Sequence, residues 1–242
     1  MKRNFGACFL CLVLVGLLFS PSSGQTADEV LKKMLEAQGG PEALRSVKDL
    51  TITGSIELVQ QGLNGDLTVY KKEPDKRRTD LVVMGMTLTQ CYDGKIAWWT
   101  NPQTGNTEEV SGEQAADLKR QALPMTANLE PAKYGLSFVL KEKESLEGKE
   151  YVVLEQTYSG GLKVLLFVDP ETYFIHKMKS KIHAAGAEYD FEQILSDYRK
   201  EGLLTMAHSV LTYQNGAEYS RIAFKEVKFN TGIEDSIFEI GK

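Results

Sequence analysis

Leu50-Thr51-Ile52-Thr53-Gly54-Ser55-Ile56-Glu57-Leu58 places apolar side chains at alternate positions: Leu50, Ile52, Ile56 and Leu58 against Thr51, Thr53, Ser55 and Glu57. Successive strand side chains point to opposite faces, so this period of two predicts a β-strand with one dry and one wet face. Turn signals then recur at hairpin spacing: Asn64-Gly65, Asp93-Gly94, Glu147-Gly148, Gly160-Gly161, Asp169-Pro170-Glu171-Thr172, Gly186 and Asn215-Gly216. Between them lie β-rich segments such as 95–100, 151–158, 162–168, 173–182 and 203–213. Short strands joined by tight glycine turns predict an antiparallel meander.

Upstream of this strand the period changes. Ala27, Val30, Leu31, Met34, Leu35 and Gln38 recur at three- and four-residue spacing behind a cap at Thr26 or Asp28. Gly39-Gly40 ends that helix, and Pro41 opens a second short turn through Leu44 and Val47. Residues 111–121 read as a mid-chain helix with a capping-box-like start at Ser111 that stops before Pro124. The expected fold class is mainly β (α+β): a large antiparallel sheet, an N-terminal helix and a mid-chain helical insertion.

The first residues address the compartment. Lys2 and Arg3 precede an apolar run from Phe5 to Phe19, and small residues follow from Ser20 to Gly24. That order is a secretory signal peptide, and the apolar run is shorter than the roughly 20 residues a spanning helix needs. We expect cleavage after Gly24, leaving residues 25–242 as one exported domain with no stable transmembrane anchor. Cys8 and Cys11 lie inside the apolar run or at its start, where a lipoprotein would carry its cysteine after it. The mature chain keeps only Cys91, so it forms no internal disulfide. The formal net charge is −5, and losing Lys2 and Arg3 makes the mature chain more acidic. Such a surface speaks against nucleic acid as a partner.

Chemistry is scarce. There is no Gly-x-Ser-x-Gly elbow, His-Glu-x-x-His or phosphate loop, and after the signal segment no paired Cys-x-x-Cys. His176 and His183 are seven residues apart and face opposite ways on a strand; only His208 could meet His176 across strands. We expect no metal and no cofactor. Cys91 has no base beside it in sequence and reads as a structural residue. Glu108-Glu109 and Glu234-Asp235 read as solvated charge. The chain is expected not to be an enzyme.

Apolar residues are in surplus. In Leu162-Lys163-Val164-Leu165-Leu166-Phe167-Val168 both alternating sets are largely apolar. Leu81 to Met86 and Tyr151 to Leu154 behave alike, and Trp98-Trp99 puts one indole on each face. Two apolar faces need two covers. Either the sheet and helices form a filled two-layer core, or the sheet curves around a cavity for an apolar ligand, with Met84, Met86 and Met178 suited to an irregular guest.

Gly65 to Pro74, followed by Tyr92-Asp93-Gly94-Lys95-Ile96-Ala97-Trp98-Trp99-Thr100-Asn101-Pro102, resembles the periplasmic outer-membrane lipoprotein carriers of the LolA-like family. Leu165 to Thr172 and Asp235-Ser236-Ile237-Phe238-Glu239-Ile240 are similar to later segments of that family. The resemblance implies an unclosed, strongly curved antiparallel sheet around helices that plug an apolar cavity. It also implies acyl chains, of a lipid or a lipidated protein, as the cargo. In the family an arginine directly precedes the proline of the first motif and holds a helical lid; here that position is Glu73, with Lys72 before it and Arg77-Arg78 beyond Pro74.

The expected function is therefore a non-enzymatic periplasmic acyl-chain carrier; the alternative is an envelope protein-interaction module with a filled core. In the carrier, Leu81, Val83, Met84, Met86, Trp98 and Trp99 would line the cavity, with Leu166, Phe167, Met178 and Phe191. Val30, Met34, Arg77 and Arg78 would form contacts to the helices.

Overall fold

The computed structural model describes residues 25–184 and 187–241. The signal segment with Cys8 and Cys11, and Gly186, lie outside the described residues. Helix α1 (Ala27–Gln38) starts at a capping box: the Thr26 hydroxyl accepts from Glu29 N–H, and the Glu29 carboxylate accepts from Thr26 N–H. Two otherwise unpaired N–H groups are thereby satisfied. Gly39 ends α1 at φ 134°, and a Cβ there would sit 2.7 Å from the Leu203 carbonyl oxygen. Helix α2 (Gly40–Ser46) then leads into the sheet.

The first meander comprises β1 (Asp49–Leu58), β2 (Leu63–Lys72), β3 (Lys76–Val83), β4 (Met86–Tyr92), β5 (Ala97–Thr100) and β6 (Thr107–Val110). Helix α3 (Gly112–Gln121) and two 3-10 turns (Ala127–Leu129 and Pro131–Tyr134) interrupt it. The second meander runs through β7 (Leu136–Leu140), β8 (Glu144–Leu146), β9 (Lys149–Tyr158), β10 (Lys163–Val168) and β11 (Ile175–Ala184). It closes with β12 (Ala187–Glu201), β13 (Leu204–Gln214) and β14 (Ala217–Phe229). β1 pairs with both β2 and β14, which joins the two meanders into one antiparallel sheet. Its ends are β6 and β7, which do not pair with each other, so the sheet is unclosed.

Two local expectations are corrected. Asn64-Gly65 is not a turn but lies inside β2; the chain reverses through the 3-10 turn Val59–Gln61 and Gly62. Gly65 is needed for space instead, since a Cβ would stand 2.5 Å from the Val82 carbonyl oxygen and 2.7 Å from Val83 Cγ2. Ser111 occupies the N-cap of α3 but makes no side-chain capping hydrogen bond.

The concave face holds α1. Val30 and Met34 pack against Val152, Leu154, Leu166 and Val168 of the second meander. Leu31 and Leu35, on the adjoining stripe, pack against Leu50, Ile52, Leu67 and Val69 of the first and Leu204 of β13. One helix thus seals the seam between the meanders, and each fully buried apolar side chain contributes about 1.5–3 kcal/mol. The convex face has its own small covers. Phe238, in the 3-10 turn Asp235–Phe238, caps Cys91 and Trp98. Leu146 of β8 packs on the cluster of Tyr151, Val153 and Phe167.

Candidate functional site

The concave face outruns its helical cover. Across β2, β3 and β4, Leu67, Leu81 and Leu88 stand in one cross-strand row; across β1, β14 and β13, Ile56, Ile222 and Val210 stand in another. Leu67 is buried, whereas Leu81, Leu88, Ile56, Ile222 and Val210 are only half-buried, and Gln90 on the same face of β4 is exposed. At this end Val83 pairs with Met86, and the turn between them carries Met84 at φ 52°. Met84 and Met86 are 78% and 59% exposed, a concentration of apolar surface at the rim. A further groove of about 300 Å³, floored by Leu31, Leu35, Pro41, Leu129 and Pro131, runs between α1 and the 127–131 turns.

The residues expected from sequence separate by face. Leu81, Val83, Met86 and Trp99 lie on the concave face of the first meander, with Met84 in the rim turn. Trp99 Nε1 donates to Glu108 Oε1 at 3.1 Å. Met178 borders the α1 cluster, and Phe191 lies farther along the same face, edge-on to Tyr219 at 6.3 Å. Leu166 is concave but buried against α1, in the filled part of the core. Val30 and Met34 are the α1 residues that fill it.

Three assignments are corrected. Trp98 pairs with Cys91 and shares its convex face, where its Nε1 donates to the Phe238 carbonyl at 2.9 Å. Phe167, one residue from concave Leu166, is convex and fully buried beside Tyr151 and Val153. Arg78 also points to the convex side: it pairs with Asp80 at 2.8 Å and donates to the Ile237 carbonyl at 2.7 Å. None of the three can face a space between sheet and helices.

A polar base holds the helical insertion down. Lys71, Glu73 and Arg77 come to one region because positions 71 and 73 share parity and Lys71 pairs with Arg77. Arg77 Nη1 donates to Gln121 Oε1 of α3 at 2.5 Å, and Lys71 Nζ donates to the Leu123 carbonyl. Glu73 Oε1 accepts from Met125 N–H at 2.8 Å. Burial raises the Glu73 carboxyl, opposed by that N–H and by Lys71. Burial, helped by the Arg77 charge, pushes the Lys71 ammonium down to about 8. Sequence reading singled out Glu73 and Arg77 but missed Lys71, whose signal was the two-residue spacing to Glu73.

Among the described residues Cys91, His176 and His208 lie in separate places. The Cys91 thiol is buried under Phe238 and pushed up to about 12 by that burial, so a thiolate nucleophile is inaccessible. His176 stacks on convex Tyr151 at 4.9 Å, while His208 is buried with the parity of concave Leu204 and Met206, so these two do not meet. Among the described residues no group of three or more His, Cys, Asp or Glu side chains is placed to hold a metal, and no helix is long and apolar enough to cross a membrane.

No protein-family model matches the chain, and no curated protein matches it. Solved structures do. A domain described as an outer membrane lipoprotein-sorting protein domain, from Vibrio parahaemolyticus, is similar at TM-score 0.58 and 16% identity, over 88% of this chain and 97% of that one. The LolA superfamily protein NE2245 from Nitrosomonas europaea gives TM-score 0.60 and 15% identity, over 89% and 98%. A DUF1329 family protein from Desulfovibrio piger gives 0.60 and 12%, over 88% and 97%. With its unclosed antiparallel sheet curved over helices, the chain has the fold of LolA superfamily and outer-membrane lipoprotein-sorting domain structures.

Proposed function

We propose that the chain is a non-enzymatic carrier, exported to the periplasm, that holds an acyl chain of a lipid or lipidated protein against its concave face. The observation carrying this reading is the half-buried apolar pair Leu81 and Leu88, with Ile56 and Ile222 bordering the α1 cluster, that leads to an exposed methionine rim. Soluble proteins rarely leave such continuous apolar surface without a use for it. Burying acyl methylenes there contributes about 0.8 kcal/mol each, so affinity needs no polar chemistry. The likeness to structures described as lipoprotein-sorting supports the same reading.

A second reading, an envelope protein docking on the rim, is favoured by one feature. Met84 holds a positive φ, a conformation that Asn or Gly adopts more cheaply, yet its apolar side chain is exposed. Native mass spectrometry of the mature protein, purified gently from its own envelope, separates the two. The carrier reading expects a population heavier than the bare chain by the mass of a lipid or lipid-modified peptide. Bare chain together with a stoichiometric protein partner would favour docking.

A further inference from the structure

Leu50, Lys71, Arg77 and Tyr92 form one row across β1, β2, β3 and β4 on the concave face. The outer two are buried, so two cations lie side by side between apolar walls. Like charges directly opposite each other on adjacent strands destabilise a sheet. Ordinarily a carboxylate relieves such a pair, but here both direct partners are neutral: the Leu123 carbonyl for Lys71 and the Gln121 amide oxygen for Arg77.

The neighbouring carboxylates Glu73 and Asp117 act on the two cations without being their direct hydrogen-bond partners. Glu73 accepts from Met125 N–H, and Asp117 pairs with Arg120 at 3.1 Å and accepts from Gln121 Nε2 at 2.9 Å. Burial, helped by the Arg77 charge, lowers the Lys71 ammonium against the pull of Glu73, and burial lowers the Arg77 guanidinium against the pull of Asp117. Partly buried charges are ordinarily paired, and an arginine fork beside a lysine is suited to a carboxylate or phosphate.

The same strands supply a path for a tail. From Arg77 the concave positions of β3 continue through Thr79 to Leu81, a rise of about 13 Å at strand spacing, and Leu88 lies beside Leu81. Resting on the carrier reading above, we infer that Lys71 and Arg77 seat the anionic headgroup, carboxylate or phosphate, of an amphiphile whose tail follows Leu81 and Leu88 toward the rim. The headgroup takes the place of Gln121 and the Leu123 carbonyl. The cargo is therefore selected by charge as well as by grease.

The test displaces the neutral apolar dye N-phenyl-1-naphthylamine from the mature protein with oleate, lysophosphatidate, methyl oleate and inorganic phosphate. Oleate, lysophosphatidate or both should compete at least about tenfold better than methyl oleate, and phosphate alone should not compete. Which of the two leads identifies the headgroup. The preference should shrink to within about threefold in Lys71→Met and Arg77→Met and persist in Lys71→Arg. If the methionine variants do not fold, protection of Lys71 from acetic anhydride by oleate in the wild type, read by mass spectrometry, replaces them. Equal competition by charged and neutral lipids, a preference that survives both methionine variants, or no protection of Lys71 would overturn the headgroup seat and leave the carrier reading standing. Dye that never binds, with no competition by any lipid, would sink both.

Discussion

Leu166→Glu is expected to unfold the domain. Leu166 is 3% exposed and packs with Val30 and Met34 of α1 against Leu154 and Val168. Glutamate there removes about 2 kcal/mol of apolar burial and places a carboxylate among apolar side chains. Its desolvation cost adds several kcal/mol, against a typical total stability of about 5–15 kcal/mol. Circular dichroism of the purified variant should show loss of the cooperative thermal transition. A variant that melts near the wild type would mean that α1 stands off the sheet and that the space beneath it is open.

Trp98→Ala tests the other face. Trp98 is 3% exposed, lies beside Cys91 and Phe238, and donates its indole N–H to the Phe238 carbonyl. Removing it opens a large cavity and releases the C-terminal turn, so the loss should be about 3–5 kcal/mol by denaturant titration. Dye uptake per folded molecule should stay at the wild-type level, because the indole is on the convex side. Lost uptake with stability intact would put Trp98 back on the ligand face.

These two residues show where sequence reading reaches its limit. The alternation of Leu50 to Leu58 and the glycine turns are enough to announce an antiparallel meander, and the three- to four-residue stripe of Val30, Leu31, Met34 and Leu35 announces a helix that packs. Parity is another matter. In Leu166-Phe167 and Trp98-Trp99 both faces are apolar, so the pattern itself holds no information about which residue looks inward; only the pairing of Trp98 with Cys91 and of Leu166 with Leu154 decides. The second cover was also invisible, because Phe238 reaches Trp98 across 140 residues of chain. Asn64-Gly65 misled for a different reason. Glycine serves equally as a turn former and as a gap for a neighbour, and here Val83 needs the gap. The polar base escaped because Lys71, Glu73 and Arg77 become neighbours only through the β2–β3 register, and their partners Gln121, Leu123 and Met125 lie in the helical insertion and the chain after it.

The fold needs Leu166; the carrier reading needs Leu88. Leu88 is half-buried on the concave face beside Leu81, past the reach of α1, so a charge there keeps contact with water. The decisive measurement is uptake of a fluorescent fatty acid by Leu88→Glu, with Lys95→Glu on an exposed hairpin as the control. The account predicts that both variants fold, with Leu88→Glu within about 1–2 kcal/mol of the wild type, and that uptake falls at least about tenfold in Leu88→Glu alone. A wild type that takes up no probe, or a folded Leu88→Glu that takes it up undiminished, would contradict it.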